Sequence, residues 1–349
     1  MGRTARRTLR SGRLSPRELD EDDVRVRPGR GSRPRTRIRP QHLAAADGMV
    51  VSVDRGRYGC VVDGVDDGMV VTAMRARELG RRAVVVGDRV SLVGDVTAAA
   101  GTLARIVRVA PRASVLRRSA DDIDPVERVI VANADLLVVV TALADPPPRS
   151  RLIDRCLVAA YDGGLTPLLC LTKSDLGDGA ALTAAYRPLG VEVMTTGRAA
   201  DGSLVGLAQL RRWVDRRVSV FFGQSGVGKS TLVNALVPDA DRATGMVNVV
   251  TGRGRHTSSS VAALRLPAGG WVVDTPGIRS FGLGHVTPAR VLAAFPDLAA
   301  AADGCPPGCS HALGAPRCAL DREVTAGRVE PTRLDSLRRV LAARDGGQD

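Results

Sequence analysis

The chain has 349 residues, of which 44% are apolar and 25% are charged, and its formal net charge at pH 7 is +13. One hydrophobic core rarely organises more than about 250 to 300 residues, so we expect a chain of about two or three folded domains and not a disordered protein. The longest apolar stretch, residues 136–144, is shorter than the roughly 18 residues that a membrane-spanning helix needs, which excludes that class of protein.

Residues 1–42 are predicted to form a disordered basic arm. Within residues 1–40, thirteen arginines stand against five acids, a net charge of +8, and no apolar stretch of the kind found in a secretory signal is present. Such arms commonly bind polyphosphates, above all nucleic acid, although a solubilising tail is the alternative. Six cysteines do not make a disulfide scaffold in a chain of this length, so we expect a cytoplasmic protein.

Residues 43–113 are predicted to form a small closed β-barrel of the oligonucleotide-binding (OB) type. Glycine turns separate five short strands, at residues 49–53, 58–62, 69–74, 84–93 and 102–109. This segment carries many arginines but a single aromatic residue, Tyr58, so a stacking surface for unpaired bases is nearly absent. We therefore expect contact with the backbone of folded RNA, and a barrel that only packs on the next domain is the alternative.

An apolar strand at residues 167–171 leads into Thr172-Lys173-Ser174-Asp175, which resembles the guanine-recognition motif Asn-Lys-x-Asp of GTPases. The Asp175 carboxylate can accept hydrogen bonds from N1–H and the N2 amine of guanine, which adenine does not offer. Lys173 would lie along the base, and Thr172 replaces the usual asparagine, which places nucleotide affinity in question but not base choice. A strand end with a helix-capping aspartate is the alternative.

A second strand, at residues 217–222, runs into a complete phosphate-loop motif and then a helical segment, residues 231–236. The motif and the residue that follows it supply the predicted phosphate contacts: Gly223, Gln224, Ser225, Gly226, Val227, Gly228, Lys229, Ser230 and Thr231. Backbone N–H groups and the helix N-terminus would bind the phosphates, with Lys229 as a catalytic cation toward the γ-phosphate and Ser230 as a Mg²⁺ ligand. A chance glycine-rich turn is the alternative.

Both lysines of the chain, Lys173 and Lys229, lie in these two motifs, whereas the other 48 of its 50 basic residues are arginine. Where arginine is the default cation, a lysine indicates a position that needs a compact ammonium group on a flexible stem. This usage supports the assignment of both motifs to one nucleotide-binding site.

A third strand, residues 271–273, ends at the motif Asp274-Thr275-Pro276-Gly277. Asp274 at a strand end can hold Mg²⁺ through water, and the Gly277 N–H can contact the γ-phosphate. The hydroxyl-rich stretch at residues 253–260 is suited to a switch loop, in which Thr257 is the first choice of Mg²⁺ ligand and Ser258 the substitute.

The guanine motif precedes the phosphate loop, which reverses the order of conventional GTPases. A parallel sheet can still assemble, because each strand and crossover helix keeps its local connection. We therefore predict that residues 114–285 form an α/β GTPase domain that is circularly permuted.

Near the C-terminus, four metal-binding side chains fall within fourteen residues: Cys305, Cys309, His311 and Cys318. Three thiolates and one imidazole complete a tetrahedral shell, so we predict one structural Zn²⁺, with buried free cysteines as the alternative. Residues 286–349 would form this zinc knuckle and a helical domain, with helices at 320–327 and 332–344. The second helix has a basic face, either for RNA or merely solvated, formed by Arg333, Arg338, Arg339 and Arg344.

The barrel, the permuted motif order and the Cys-Cys-His-Cys cluster together resemble the ribosome small-subunit-dependent GTPase A family, RsgA. The likeness covers about residues 43–345 and includes the stretches RGRHTSSS, DTPGIRSFGL and CPPGCSHALGAPRC. It implies a monomeric GTP hydrolase that uses Mg²⁺, cycles between GTP and GDP, binds 16S rRNA on the nearly finished 30S subunit, and assists late maturation of that subunit. No membrane partner is expected.

The family is similar in carrying a hydrophobic residue, here Ile278, where Ras-like enzymes have their water-orienting glutamine. His256 in the switch loop is our candidate to orient the attacking water, and a histidine that only contacts RNA is the alternative. Hydrolysis should then be slow until 30S binding orders the loop. A general RNA-binding switch and an ATP-driven nucleic-acid enzyme are competing functions, and Asp175 argues against the second.

Overall fold

A computed structural model describes residues 42–65, 69–80, 83–99, 101–118, 128–238, 261–275, 283 and 286–344. All of them belong to one unit, His42–Asp349. The predicted basic arm lies outside the described residues apart from its last residue, His42. Within the described part of the chain, no helix is long and apolar enough to cross a membrane.

The strands follow one another along the described ranges as β1 (Ala46–Asp54), β2 (Arg57–Val62), β3 (Val70–Arg75), β4 (Arg89–Gly94), β5 (Ala104–Val109), β6 (Val115–Arg118), β7 (Arg128–Ala132), β8 (Leu136–Ala142), β9 (Thr166–Thr172), β10 (Glu192–Thr195), β11 (Gly197–Arg198), β12 (Leu204–Val205), β13 (Val218–Phe222), β14 (Ala262–Arg265) and β15 (Trp271–Asp274). The α-helices are α1 (Ser150–Gly163), α2 (Ala180–Tyr186), α3 (Leu207–Val214), α4 (Lys229–Leu236), α5 (Pro288–Ala293), α6 (Pro296–Ala302), α7 (Ala319–Thr325) and α8 (Pro331–Arg344).

The first five strands form the predicted closed barrel. They pair in the order β1-β2-β3-β5-β4, and β4 pairs again with β1 to close the ring. Tyr58 points into this barrel and is 7% exposed, so no aromatic face lies on the described outer surface of the barrel. The structure therefore confirms the OB-type architecture and the lack of a stacking surface.

One barrel strand is shorter than the sequence predicts. The expected strand at 84–93 is broken, because Val86 forms a bridge with Val131 of β7 and regular pairing resumes at β4. Gly87 makes this detour possible: its φ is +86°, and a Cβ there would lie 1.9 Å from the carbonyl oxygen of Ala132. Glycine tolerates both the positive φ and the close backbone approach.

The second half of the same sheet contains the predicted parallel strands in the order β10-β9-β8-β13-β15-β14. Pairing is parallel from β10 through β15, and β14 is antiparallel to β15. β14 also pairs with β1 of the barrel, so the two parts form one continuous 11-stranded sheet. The strand that precedes the phosphate loop, β13, is paired on both sides, with β8 and with β15.

The parallel strands bury both faces, which explains their nearly unbroken apolar sequence. In β8, for example, Leu136 and Val138 face one core while Leu137 and Val139 face the other. The first core contains α3 and α4, and the second contains α1 and the C-terminal helices. The elements that carry the nucleotide motifs are therefore fixed by packing on both sides of the sheet.

The expected free basic face on α8 is not present among the described side chains. Arg333 bonds to Asp297, Arg338 to Asp321, and Arg339 to Asp154. Two of these arginines also lie over aromatic rings, at 5.6 Å from Phe295 and 4.8 Å from Tyr186. These cations therefore attach α8 to the rest of the fold. The side chain of Arg344 lies outside the described set.

Candidate functional site

The phosphate loop has the local structure that its sequence predicts. β13 ends at Phe222, the loop follows, and α4 begins at Lys229 after Gly228, whose φ is +89°. A cavity of about 950 Å³ opens at the loop. It is lined by Gly223, Gln224, Ser225, Gly226, Gly228, Lys229, Ser230 and Thr231 of the motif, together with Pro146, Arg149, Lys173 and Thr275. The N-terminus of α4 thus meets the cavity, where backbone N–H groups favour an anion.

The loop is packed closely against the neighbouring strand. A Cβ at Gly223 would lie 2.5 Å from the carbonyl oxygen of Val140 in β8, so a larger residue would displace the loop. Val227 points away from the cavity and is 2% exposed. The loop backbone is therefore held in place from behind while its front faces the cavity.

The predicted Mg²⁺-binding aspartate lies beside the loop. Phe221 of β13 is in register with Asp274 at the end of β15, and Lys229 Nζ forms an ion pair with the Asp274 carboxylate. Thr275 donates a hydrogen bond to the Phe221 carbonyl at 3.0 Å. The structure thus brings Lys229, Ser230 and Asp274 to one edge of the sheet.

The guanine motif lines a second cavity, of about 240 Å³, beside the first. Asp175 is at this cavity, and its Oδ1 accepts a hydrogen bond from the Arg198 backbone N–H at 2.9 Å. That bond lowers the pKa of Asp175, so the carboxylate is ionised at neutral pH and can accept hydrogen bonds from a base.

The junction between β10 and β11, formed by Thr195, Thr196 and Gly197, is held directly against the guanine motif. The Thr196 backbone N–H donates to the Leu171 carbonyl at 2.7 Å, and the Ser174 N–H donates to the Thr196 carbonyl at 3.1 Å. A Cβ at Gly197 would lie 2.5 Å from Ser174 Oγ. This close approach requires glycine and places the segment on the wall of the base cavity.

The two cavities lie side by side. They share Lys173, Gly228 and Thr231 as lining residues. Lys173 Nζ donates a hydrogen bond to the Asp145 carbonyl, and the Thr172 hydroxyl donates to the Val227 carbonyl at 2.6 Å. One elongated ligand with an anionic end and a polar planar end fits this arrangement.

Five predicted site residues lie outside the described residues: His256, Thr257, its substitute Ser258, Gly277 and Ile278. Sequence reasoning missed Arg149, which lines the larger cavity, because no motif includes it. It also missed the Arg198 backbone N–H, since a main-chain donor leaves no trace in side-chain identity.

The predicted zinc ligands converge at one point near the C-terminus. One ligand atom from each of Cys305, Cys309, His311 and Cys318 lies within 4.8 Å of the others. The distances from His311 Nδ1 to Cys305 Sγ and Cys318 Sγ are 3.6 and 3.9 Å. Zn–S bonds of about 2.3 Å in a tetrahedron place neighbouring ligands about 3.8 Å apart, so these residues fit a metal ion of that size.

The ionisation of His311 suits a metal ligand, whereas burial raises the pKa of the Cys318 thiol. Burial and the nearby charge of Arg338 lower the pKa of His311, which keeps its imidazole neutral and able to act as a ligand. The Ala319 backbone N–H lies 3.1 Å from Cys305 Sγ, and Arg338 Nε donates to the His311 carbonyl at 3.0 Å. The cluster is therefore braced by α7 and α8.

Comparisons with known proteins agree with this geometry. The profile of the RsgA GTPase family matches residues 109–284. A "Small ribosomal subunit biogenesis GTPase RsgA" from Pseudomonas fluorescens (strain SBW25) is 42% identical over 247 residues, which are 68% of this chain and 69% of that protein. The protein of the same name from Pseudomonas syringae pv. syringae is 41% identical over 270 residues, or 75% of each chain.

Two solved structures share the fold. The crystal structure of YjeQ from Thermotoga maritima has a TM-score of 0.64 and 23% identity, and the match covers 87% of this chain and all of that one. YloQ, described as a circularly permuted GTPase, has a TM-score of 0.62 and 24% identity, with 88% and 98% covered. The family profile matches half of this chain, and the two Pseudomonas proteins are 42% and 41% identical to it over more than two thirds of its length. These matches, together with the permuted order of the nucleotide motifs, establish that this chain belongs to the RsgA GTPase family.

Proposed function

We propose that this protein is a GTP hydrolase that binds the 30S ribosomal subunit, assists its late maturation, and couples hydrolysis to release. The observation that carries the enzymatic part is that the two cavities adjoin each other and share Lys173, Gly228 and Thr231 as lining residues. It supports a single nucleotide with its phosphates on the loop at 223–230 and its guanine at Asp175.

In this proposal each motif has one role. Lys229 contacts the β- and γ-phosphates and is catalytic, while the backbone N–H groups of Gly223, Gln224, Ser225, Gly226, Val227, Gly228 and Thr231 surround the phosphates. Ser230 and Thr257 would bind Mg²⁺ directly, and Asp274 would bind it through a water molecule. The ion would neutralise part of the phosphate charge. The Lys229–Asp274 ion pair supports this role, because it holds both groups at the place where phosphate and metal would meet.

Base recognition is assigned to Thr172, Lys173 and Asp175. The carboxylate of Asp175 accepts from N1–H and N2 of guanine, and its lowered pKa keeps it ionised. Adenine would leave that carboxylate unpaired, so GTP is preferred over ATP. Gly277 would contact the γ-phosphate, and His256 would orient the attacking water in place of the glutamine that Ile278 replaces.

The partner is inferred from the relatives, whose names assign them to small-subunit biogenesis. A net charge of +13 favours a polyanion, and the basic arm at residues 1–42 and the barrel at 43–113 would contact 16S rRNA. Residues 114–285 would form the permuted GTPase domain and 286–349 the zinc-knuckle domain. We further propose that the protein acts as a cytoplasmic monomer with one structural Zn²⁺.

The test is GTP turnover by the purified protein alone, with 30S subunits and with 50S subunits. We expect slow turnover alone and stimulation by 30S only. Equal stimulation by 50S or bulk RNA would instead indicate a general RNA-binding switch. His256→Ala should remove most of the 30S stimulation, and unchanged stimulation would remove His256 from the mechanism.

A further inference from the structure

We propose that Arg149 is a further catalytic residue of this site, whose guanidinium contacts the nucleotide phosphates and stabilises the charge that develops during hydrolysis. This inference rests on the proposed GTPase function. Arg149 belongs to none of the nucleotide motifs, and its position at the cavity is what singles it out.

Arg149 lies at the first half of the phosphate loop. It lines the 950 Å³ cavity together with Gly226 and Lys229. It also lines a second, very small cavity of about 10 Å³ with Gly223 and Gln224. Both cavities therefore place Arg149 next to the phosphate loop. Arg149 directly precedes Ser150, the first residue of α1.

The backbone around Arg149 is constrained. Three consecutive prolines, Pro146 to Pro148, precede it, and the ring of each fixes its own φ. Pro146 Cδ lies only 3.7 Å from the position of a Cβ on Gly226, so this segment touches the phosphate loop. On the other side, α1 is anchored by Asp154 and Arg155, which are 2% and 8% exposed. The backbone on both sides of Arg149 is therefore held in place, which limits the positions that its side chain can reach.

The guanidinium of Arg149 has no hydrogen-bond or ion-pair partner among the described residues, although the two lysines of the same cavity do. Lys229 contacts Asp274, and Lys173 contacts the Asp145 carbonyl. Arg149 occupies the N-cap position of α1, where its guanidinium cannot cap the helix because it has no acceptor atom, and the first turn of α1 contains no acidic residue. An exposed cation next to a positive helix end, with no counter-charge, is suited to an anionic ligand.

The chemistry gives such a cation a specific task. Water adds to the γ-phosphorus as the bond from that atom to the β–γ bridging oxygen breaks, which yields GDP, inorganic phosphate and a proton. Negative charge grows on the bridging oxygen, and a planar guanidinium can donate two hydrogen bonds to the phosphate oxygens. Arginine supplied within the same chain performs this task in other GTPases. Because Ile278 cannot orient water, a charge contribution of this kind is more important here.

The test compares the wild type with Arg149→Ala, Arg149→Lys and the control Arg151→Ala, which removes the same charge two residues further along α1, away from the cavity. Three quantities are measured: single-turnover GTP hydrolysis, the Kd for GDP, and the Kd for GDP with aluminium fluoride and Mg²⁺. We expect both Arg149 variants to hydrolyse GTP at least about tenfold more slowly, because a lysine lacks the planar two-donor group. The Kd for GDP should change less than about threefold, while the aluminium fluoride complex weakens in parallel with the rate.

Two results would overturn the inference. Wild-type rates and wild-type affinity for the fluoride complex in Arg149→Ala would show that the residue does not act on the reaction. Equal weakening of GDP and of the fluoride complex would assign it to ground-state binding only. A wild type that does not hydrolyse GTP would instead contradict the proposed function, whereas a loss of rate confined to the Arg149 variants leaves that function intact.

Discussion

The side-chain hydroxyl of Thr172 donates a hydrogen bond to the backbone carbonyl of Val227 at 2.6 Å. This bond joins the guanine motif to the phosphate loop across 55 residues of sequence, and both residues are buried. The threonine that stands in place of the usual asparagine therefore still ties the two halves of the site together.

Thr172→Val keeps the side-chain volume but removes this hydrogen bond and leaves the Val227 carbonyl unpaired, which costs about 1 to 3 kcal/mol. We expect the Kd values of GTP and GDP to rise about tenfold together, while the preference for GTP over ATP is retained. Nucleotide titrations of the variant measure this. Thr166→Val, at the exposed first residue of the same strand β9, is the control, and unchanged affinity in Thr172→Val would show that the bond does not support the site.

Arg112 and Asp88 form a buried ion pair in the barrel, with Arg112 Nε 2.7 Å from Asp88 Oδ1. Asp88 is fully buried, so Arg112→Ala would leave its carboxylate buried without a cationic partner. We expect this change to lower the free energy of unfolding by about 3 kcal/mol or more. Urea unfolding measures the change.

The matched control for that pair is Arg89→Ala, which breaks the exposed Arg89–Asp63 pair and should cost less than about 1 kcal/mol. Asp88→Asn combined with Arg112→Ala should restore part of the stability, because no buried charge remains. Equal effects of Arg112→Ala and Arg89→Ala would contradict the importance of burial here.

Removal of the metal should destabilise the C-terminal helices. We expect one Zn²⁺ per chain by elemental analysis, and a lower unfolding temperature after treatment with a chelator or in Cys309→Ser, because the ligands would then lose their common partner. Ser310→Ala should retain the metal. Purified wild-type protein that lacks zinc but unfolds at the same temperature as the zinc-loaded form would refute the assignment.

The ion pair between Arg333 and Asp297 predicts a pH-dependent stability. The hydrogen bonds from Arg333 lower the pKa of Asp297 below its ordinary value of 3.8. The pair therefore contributes stability above that pH and loses it as the pH falls through the lower, folded-state pKa. Asp297→Asn should reduce stability by less than about 1 kcal/mol at pH 7, because Asp297 is half exposed, and the difference should shrink at pH 3. A difference that is as large at pH 3 as at pH 7 would contradict this reading.

The local structure around the phosphate loop could be predicted from the sequence because its signals are local. The loop at 223–230, the strand before it and the helix after it form one continuous segment, so spacing alone defines their structure. The cluster at 305–318 is similarly short. The permuted order was readable because motif order is a property of the sequence itself.

Long-range pairings could not be read in this way. Nothing local shows that β1 of the barrel pairs with β14, or that Arg112 meets Asp88. The partner of Arg339 lies 185 residues away in α1, which is why a structural cation was indistinguishable from an RNA-binding one. The sequence shows that a residue is charged and would gain from a partner of opposite charge. It does not show which residue the fold brings next to it.

The most direct test of the account is whether the substitution Asp175→Asn changes the base that the protein prefers. Asn in this position would accept from N1–H but donate its amide to a C2 carbonyl, the group that xanthine has where guanine has an amine. We predict that Asp175→Asn binds and hydrolyses xanthosine triphosphate in preference to GTP, while the wild type shows the opposite order. If the variant binds both nucleotides as the wild type does, Asp175 does not contact the base, and the proposed position of the nucleotide across residues 172–175 and 223–230 is wrong.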